Sequence, residues 1–504
     1  MKIIDKYTLK GKHVTVAVKI VEDDKSFVPI YDAAFPEVGK GTRISLDEVK
    51  MEILSESKMS VEKIVDLKFT EQVRENFSQL ADTLLTKKLF RIDEKSKNTL
   101  VEILMNEMLG LGNFEYILLD DNVEEIVVNS SSELVWIYHK TYGWLKSTLQ
   151  IDSEKDIENM AAIIARRSGK QVNALAPLLD AHLPSGDRAN ATLRPISSAG
   201  NTITIRRFRR KPWTVTELIK FGSISAEAMA LVWTAFEFEL NVLISGGTAS
   251  GKTSFLNACT TFIRPNQRVL TIEDTRELTI PSFLHWVPLT TRASNTEDKG
   301  EVTMLDLLVN SLRMRPDRII VGEVRRQREA EVMFEAMNTG HSVYTTFHAD
   351  TAEETIRRFS NPPISLPQAM LNSIGLNIVL FRNRRTGKRA VYQIAEIVIE
   401  DRSNNQEARA NVLYRYNTAK EILLPQKESV KLFDEISMHT GLSHLEMNND
   451  LKEKEKILTW LIDKEVFDLD ELGRVFAKYY VDKEQVIAYS KSKKDPRDLI
   501  KGIK

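Results

Sequence analysis

The chain has 504 residues, 42% hydrophobic and 28% charged, an ordinary globular composition too long for one core, so two to four domains are expected. A formal net charge of -1 gives no global reason to bind nucleic acid or an anionic membrane; local patches must carry any such role. The single cysteine, Cys259, excludes an internal disulfide and a four-cysteine structural zinc site.

The start of the chain, MKIIDKYTLKGKHVTV, lacks the apolar stretch of a signal peptide, and no run of about 18 apolar residues occurs, so a soluble, cytoplasmic protein is expected. Residues 1–95 read as a small α+β accessory domain: Val14, Val16 and Val18 alternate before an acidic turn at Glu22–Asp24, and Val73, Phe77, Leu80, Leu84 and Leu85 recur at helical spacing. A second α+β module, 96–208, opens with a helix over Leu100, Ile103, Leu104 and Met108 that ends at Gly110 and Gly112. It continues with strand-like runs at 126–129 and 134–138 and a helix over 156–167. A hairpin turned at Pro184-Ser185-Gly186-Asp187 and a last strand over 202–208 complete it. The run RRFRRKPW then breaks at Pro212, and residues 209–222 read as a linker.

From 223 to 425 short apolar strands alternate with helices, which predicts a mostly parallel sheet with helices on both faces. Residues 426–504 are lysine-rich and helical, with Asp468-x-x-Glu471 as a capping signal before Leu472, Val475, Phe476 and Tyr479.

The most informative segment is GGTASGKT at 246–253, a complete G-x-x-x-x-G-K-[ST] phosphate loop after the apolar run NVLIS and before a helix expected over 253–263. Gly246, Gly247 and Gly251 let the backbone turn its amides, including those of Thr248, Ala249 and Ser250, toward phosphate oxygens. The helix adds its positive dipole end. Lys252 is the candidate for the β/γ-phosphates and Thr253, followed by Ser254, for Mg²⁺. Cys259 falls on the apolar face of that helix, as a buried structural thiol would.

Ligands on open parallel sheets bind beyond the carboxyl ends of the strands. Three further apolar runs end in polar residues: 269–272 is followed by Glu273, Asp274 and Glu277; 319–321 by Gly322 and Glu323; and 343–347 by His348, with His341 just before it. Glu323 is the candidate for polarising an attacking water or its magnesium shell. Glu273 and Glu277 are candidates for orienting water or metal, and His348 for sensing a γ-phosphate. A solvated acidic turn is the plainer alternative for Glu273 and Glu277, and a helix N-terminal acid for Glu323. Charge developing on a transferred phosphoryl is commonly met by guanidinium groups, for which Arg188, Arg194, Arg206 and Arg207 are candidates. The run RRFRRK, with Phe208 and Trp213, could equally be a nucleic-acid or lipid-headgroup patch.

Together LPSGDRANA (183–191), TITIRRF (202–208), GGTASGKTS (246–254), LTIEDTREL (270–278), LRMRPDRIIVGEVR (312–325) and MNTGHSVYTTFHAD (337–350) resemble the secretion-superfamily ATPases, the motors of type II and type IV secretion, type IV pili and archaella. The resemblance covers roughly 95–400 and implies a RecA-like P-loop NTPase domain with a parallel-rich sheet, preceded by smaller α+β N-terminal domains. It implies ATP and Mg²⁺ as cofactors, a usually hexameric ring, and domains that move as rigid bodies. It also implies a partner platform of polytopic inner-membrane protein, reached from the cytoplasmic side, with pilin-like subunits served indirectly and no nucleic acid bound. By this resemblance Gly246 to Thr253 is similar to a Walker A motif, Glu273 to Glu277 to an aspartate box, Ile319 to Glu323 to an atypical Walker B, and Gly340 to His348 to a histidine box. Arg188 and Arg206 are similar to family arginines that meet the phosphates, which moves the basic run toward nucleotide.

The missing four-cysteine module places the chain nearer the archaeal or tight-adherence branch, and VRRQREAE after Glu323 departs from the small residue that relatives often carry. The leading expectation is an ATP-hydrolysing motor. A ring-shaped nucleic-acid translocase or DNA-transfer ATPase, and a nucleotide-switched interaction module, are the alternatives.

Overall fold

The computed structural model describes residues 2–24, 26–56, 70–89, 92–183, 185–208, 211–292, 300–402 and 405–502. Val73 as a side chain, Pro184 of the expected hairpin turn, and Arg209 and Arg210 of the basic run lie outside that description. The chain divides into two compact units, residues 1–210 and 211–504.

The first unit is built on a nine-stranded sheet ordered β1-β2-β3-β6-β5-β4-β9-β8-β7, antiparallel except for the β3/β6 pair. Its strands are β1 (Lys2–Lys10), β2 (Thr15–Glu22), β3 (Ile30–Ala34), β4 (Val123–Val128), β5 (Leu134–His139), β6 (Gly143–Gln150), β7 (Leu178–His182), β8 (Arg188–Thr192) and β9 (Thr202–Arg206). Alternation along them sends Ile126, Ile137, Leu145, Ala189, Ala191, Ile203 and Ile205 into one core. The Glu154–Arg167 helix packs there through Ile157, Ala161 and Ile164. It starts two residues before the expected Asp156 because Ser153 accepts from the Asp156 amide and caps it. β9 stops at Arg206 because the Phe208 amide leaves the ladder and donates to Asp187 Oδ1 at 2.7 Å. Helices Lys40–Glu56, Thr70–Lys88 and Glu94–Met108 form a separate small core around Leu46, Phe77, Leu84, Leu85, Leu100 and Leu104.

The second unit carries the α/β domain that the phosphate loop predicts. Its strands are β10 (Val242–Gly246), β11 (Arg268–Glu273), β12 (His285–Thr290), β13 (Arg318–Glu323), β14 (Ser342–Phe347), β15 (Leu376–Arg382), β16 (Arg389–Arg402), β17 (Asn405–Asn417) and β18 (Ile422–Pro425). They follow the order β12-β11-β13-β14-β10-β15-β16-β17-β18. The first six are parallel and the last three add on antiparallel, so the sheet is parallel-rich and RecA-like. β10 and β14 are buried along their whole length, which is why their sequences run apolar without strong alternation. Cys259 is fully buried, and burial pushes its thiol up.

The C-terminal helices share this core. Trp233, on the Ala226–Glu237 helix, stacks on Phe262 at 5.4 Å, meets Phe476 at 4.6 Å and donates from Nε1 to the Tyr480 hydroxyl at 2.8 Å. Asp468 caps the Leu469–Val481 helix by accepting from the amides of Asp470 and Glu471. Within the stretch read as a linker, Val215–Lys220 is a helix with a reciprocal Thr214/Glu217 capping box, and Thr216 Oγ1 donates to Val466 O at 2.7 Å. Among the described residues no helix is long and apolar enough to cross a membrane.

Candidate nucleotide site

The loop after β10 has the backbone that its glycines require. Gly246 has φ 150° and a Cβ there would lie 2.4 Å from Leu380 O, while Gly251 has φ 93° at the N-cap of the Lys252–Cys259 helix. With glycine at the N-cap no side chain caps that helix, so its first amides stay available to an external anion. Ala249 takes a left-handed φ of 59°, which costs about 1–2 kcal/mol. Arg389 Nε donates to the Ala249 carbonyl at 3.0 Å and Ser250 Oγ to Gly247 O at 2.8 Å, and both bonds hold the loop in shape. The helix ends at Cys259, earlier than the expected 263. Thr260 and Thr261 donate their hydroxyls to the carbonyls of Asn257 and Ala258, and a 3₁₀ turn follows.

The parallel register brings the ends of β10, β11, β13 and β14 to one edge. Lys252 Nζ donates to the carbonyls of Gly246 and Gly247, both at 3.0 Å, and lies 3.4 Å from His348 Nδ1. His348 Nε2 is in turn 2.8 Å from Glu323 Oε1. Burial, then the Lys252 charge, lowers the His348 pKa below the usual imidazole value, so the ring is neutral near pH 7. An ammonium can only donate, so Nδ1 accepts and the ring proton sits on Nε2, facing the carboxylate. Burial likewise pulls Lys252 down, against the opposing pull of Glu323, Asp350 and Glu277.

Glu273 is 2% exposed; its Oε1 accepts from the amides of Glu277 at 2.8 Å and Leu278 at 3.0 Å, and its Oε2 has no partner among the described residues. Burial raises its pKa to about 7, against the lowering effect of those amides. Glu277 is exposed on the turn that Glu273 organises. Thr253 is half-buried on the first turn of the loop's helix, and Thr248 and Ser254 are exposed.

His341 is not brought to this edge. It stands before β14, at the opposite end of the strand from His348, roughly 20 Å away at about 3.3 Å per residue, with Nδ1 3.2 Å from Thr339 Oγ1. The arginine candidates belong to the first unit. Arg188 and Arg206 are cross-strand partners on β8 and β9, both exposed, and Arg188 makes a two-pronged pair with Asp180 through Nε at 3.2 Å and Nη2 at 2.9 Å. Arg207 is buried under the 120–123 turn, donating to Val123 O at 3.0 Å and to Asp120 O. Arg194 donates its amide to Asn201 Oδ1 at 2.8 Å and Nη2 to Ala199 O at 3.3 Å.

Four residues that the sequence reading did not single out join the second unit's site. Arg325 grips Glu323, Arg358 donates to the His348 carbonyl, Arg389 holds the loop, and a Cβ on Gly247 would lie 2.9 Å from Asp350 Oδ1. Arg325 and Asp350 fall inside the quoted GEVR and FHAD stretches; Arg389 sits across a hairpin and has no local motif. Uncapped amides, a buried lysine on loop carbonyls and carboxylates at adjacent strand ends form a donor set that fits a polyphosphate with a hard divalent cation.

A family model for type II/IV secretion system proteins matches residues 113–448. An uncharacterised protein of Methanocaldococcus jannaschii is 32% identical over 421 residues, covering 82% of this chain and 75% of that protein. A putative conjugal transfer protein of Mycobacterium tuberculosis is 31% identical over 308 residues, 58% of this chain and 86% of that one. The solved ATPase DotB of Legionella pneumophila is 20% identical, with 75% of this chain and 94% of that chain covered at a TM-score of 0.43. On the family match, which spans two thirds of its length, the chain belongs to the type II/IV secretion system protein family.

Proposed function

We propose that this protein is an ATP-hydrolysing motor subunit, working in a ring of copies, a hexamer by resemblance, at the cytoplasmic face of a polytopic membrane platform that assembles or moves a type IV pilus-like or archaellum-like filament or a related secretion machine. The observation that carries the reading is the contact chain Lys252–His348–Glu323 beside the phosphate loop, at 3.4 and 2.8 Å.

A bound Mg²⁺–ATP, with Gly246 to Ser254 around its phosphates and Thr253 and Glu323 on the metal side, would supply an activated phosphoryl group and neutralise its charge. The chain's own residues do the rest. Lys252 donates to the carbonyls of Gly246 and Gly247, which meets its desolvation, and it is the residue that would hold the phosphate oxygens. His348 donates from Nε2 to Glu323 Oε1 and fixes that carboxylate at the strand end, where it can accept a proton from water. Glu273 shapes the acidic turn through the amides of Glu277 and Leu278, and by resemblance alone Arg188 and Arg206 are the guanidinium groups that would meet phosphate charge.

Multiple-turnover phosphate release by purified protein, abolished in Lys252→Ala, tests the hydrolytic reading; equal turnover in both proteins would overturn it. The Mycobacterium relative's name favours a second reading, a DNA-transfer ATPase. Stimulation of hydrolysis by DNA, falling steeply with salt, would select that reading; its absence leaves the filament or protein-secretion motor.

A further inference from the structure

Both oxygens of the Glu323 carboxylate are engaged. Oε1 receives His348 Nε2 at 2.8 Å, and Oε2 receives Arg325 twice, from Nη2 at 2.5 Å and from Nε at 2.9 Å. Two donors use both lone pairs of Oε2. The same guanidinium spans to the neighbouring strand end, with Nη1 3.4 Å from Asp274 Oδ2. Its backbone is anchored separately, because the Arg325 amide donates to Glu329 Oε2 at 3.1 Å as part of the cap of the Gln327–Asn338 helix. The Arg325 side chain is 62% exposed whereas that of Glu323 is 16% exposed, so the arginine lies over the carboxylate from the solvent side. Glu323, Arg325, His348 and Arg358 line one cleft.

We propose that Arg325 is a positioning residue that masks Glu323: it occupies Oε2, ties it to Asp274 and so holds the acid away from water and metal until the guanidinium swings out. The mask deepens the hydrolytic reading above and rests on it only for its effect on turnover. Releasing it breaks a solvent-facing ion pair and leaves the Arg325 amide in its cap, so the side chain can move without unfolding the helix. A lysine lacks the fork needed to hold Glu323 twice and reach Asp274 at the same time. Asp274 reaches Glu323 through the Arg325 guanidinium.

The test uses the full chain and two readouts. The first is the rate at which a water-soluble carbodiimide modifies Glu323, mapped by mass spectrometry of nucleotide-free protein. It should rise in Arg325→Ala, rise less in Arg325→Lys, and rise in Asp274→Asn, with the Ala and Asn effects failing to add in the double variant. The second is steady-state ATP turnover. In Arg325→Ala kcat should increase roughly two- to fivefold, which corresponds to an exposed ion pair of about 1 kcal/mol or less, with KM unchanged.

Labelling of Glu323 that is no faster in Arg325→Ala overturns the mask, whatever the turnover. Faster labelling with an unchanged or lower kcat overturns its control of turnover. A wild type that hydrolyses no faster than Lys252→Ala overturns the ATPase reading instead, and labelling still decides the mask.

Discussion

Lys454 Nζ, fully buried on the His444–Asp463 helix, lies 2.5 Å from Glu237 Oε2 and 2.7 Å from Asp450 Oδ2. The pair joins a C-terminal helix to the Ala226–Glu237 helix that backs the strand carrying the phosphate loop. Thr234 Oγ1, 2.8 Å away, accepts a further bond. Lys454→Ala would remove the buried cation that the two carboxylates share and leave Glu237 with Arg264 at 3.4 Å and Asp450 with Lys483 and Tyr479, so the second unit should lose less than the roughly 3–5 kcal/mol of a wholly unpaired buried charge. The apparent unfolding temperature measured by calorimetry checks this; a shift within experimental scatter would show the pair to be dispensable. Lys454→Met, which keeps most of the volume, should lose a comparable amount because the acids remain.

Glu273 makes stability depend on pH in a stated direction. Its folded pKa, about 7, lies above the ordinary 4.5, so the neutral carboxyl is preferred in the folded chain. Its contribution is therefore full below about 4.5 and is lost as pH rises through about 7. Glu273→Gln keeps an oxygen for the amides of Glu277 and Leu278 but does not ionise. Relative to wild type, the variant should gain stability between pH 5 and pH 8, by up to about 3 kcal/mol. Parallel pH profiles of the two proteins would remove Glu273 as the titrating group.

For Arg188→Ala the expected outcome is a loss of kcat on the order of 10³-fold with nucleotide affinity nearly unchanged, the signature of charge met only in the transition state. Equilibrium binding of a fluorescent ATP analogue, measured beside phosphate release, separates the two. Loss of both in equal measure would reduce Arg188 to a binding or folding role. The Arg188–Asp180 pair is half-exposed, so removing it should itself change stability little.

Much of the second unit was legible because its signals are local. The phosphate loop occupies eight consecutive residues, and β10, β11, β13 and β14 are short apolar runs that end in, or are directly followed by, the loop, the acids and the histidine. Asp468 announced a helix start through a capping pattern that depends only on neighbours. Where local side chains compete with the backbone, the expected ends shifted. Ser153 began a helix early, and Thr260 and Thr261 ended one early.

The pairing of residues distant in sequence was not legible. His341 and His348 are seven residues apart and looked like one box, but an extended strand sends its two ends to opposite edges of the sheet. Arg389 is far from the loop in sequence and reaches Ala249 only because β15 lies beside β10 and turns back into β16. The same holds for the carboxyl-terminal helices, whose apolar faces read as a tail until Trp233, Phe262 and Phe476 closed over one another.

By itself the sequence determined the chemistry on offer: a loop shaped for phosphate, acids and a histidine at strand ends, and the family, because these depend on residue type and short spacing. Only the tertiary structure decided which of those groups meet. It set Lys252 against His348, His348 against Glu323, and Arg325 over Glu323, because strand order and parallel register, not distance along the chain, put side chains within a few ångströms of each other.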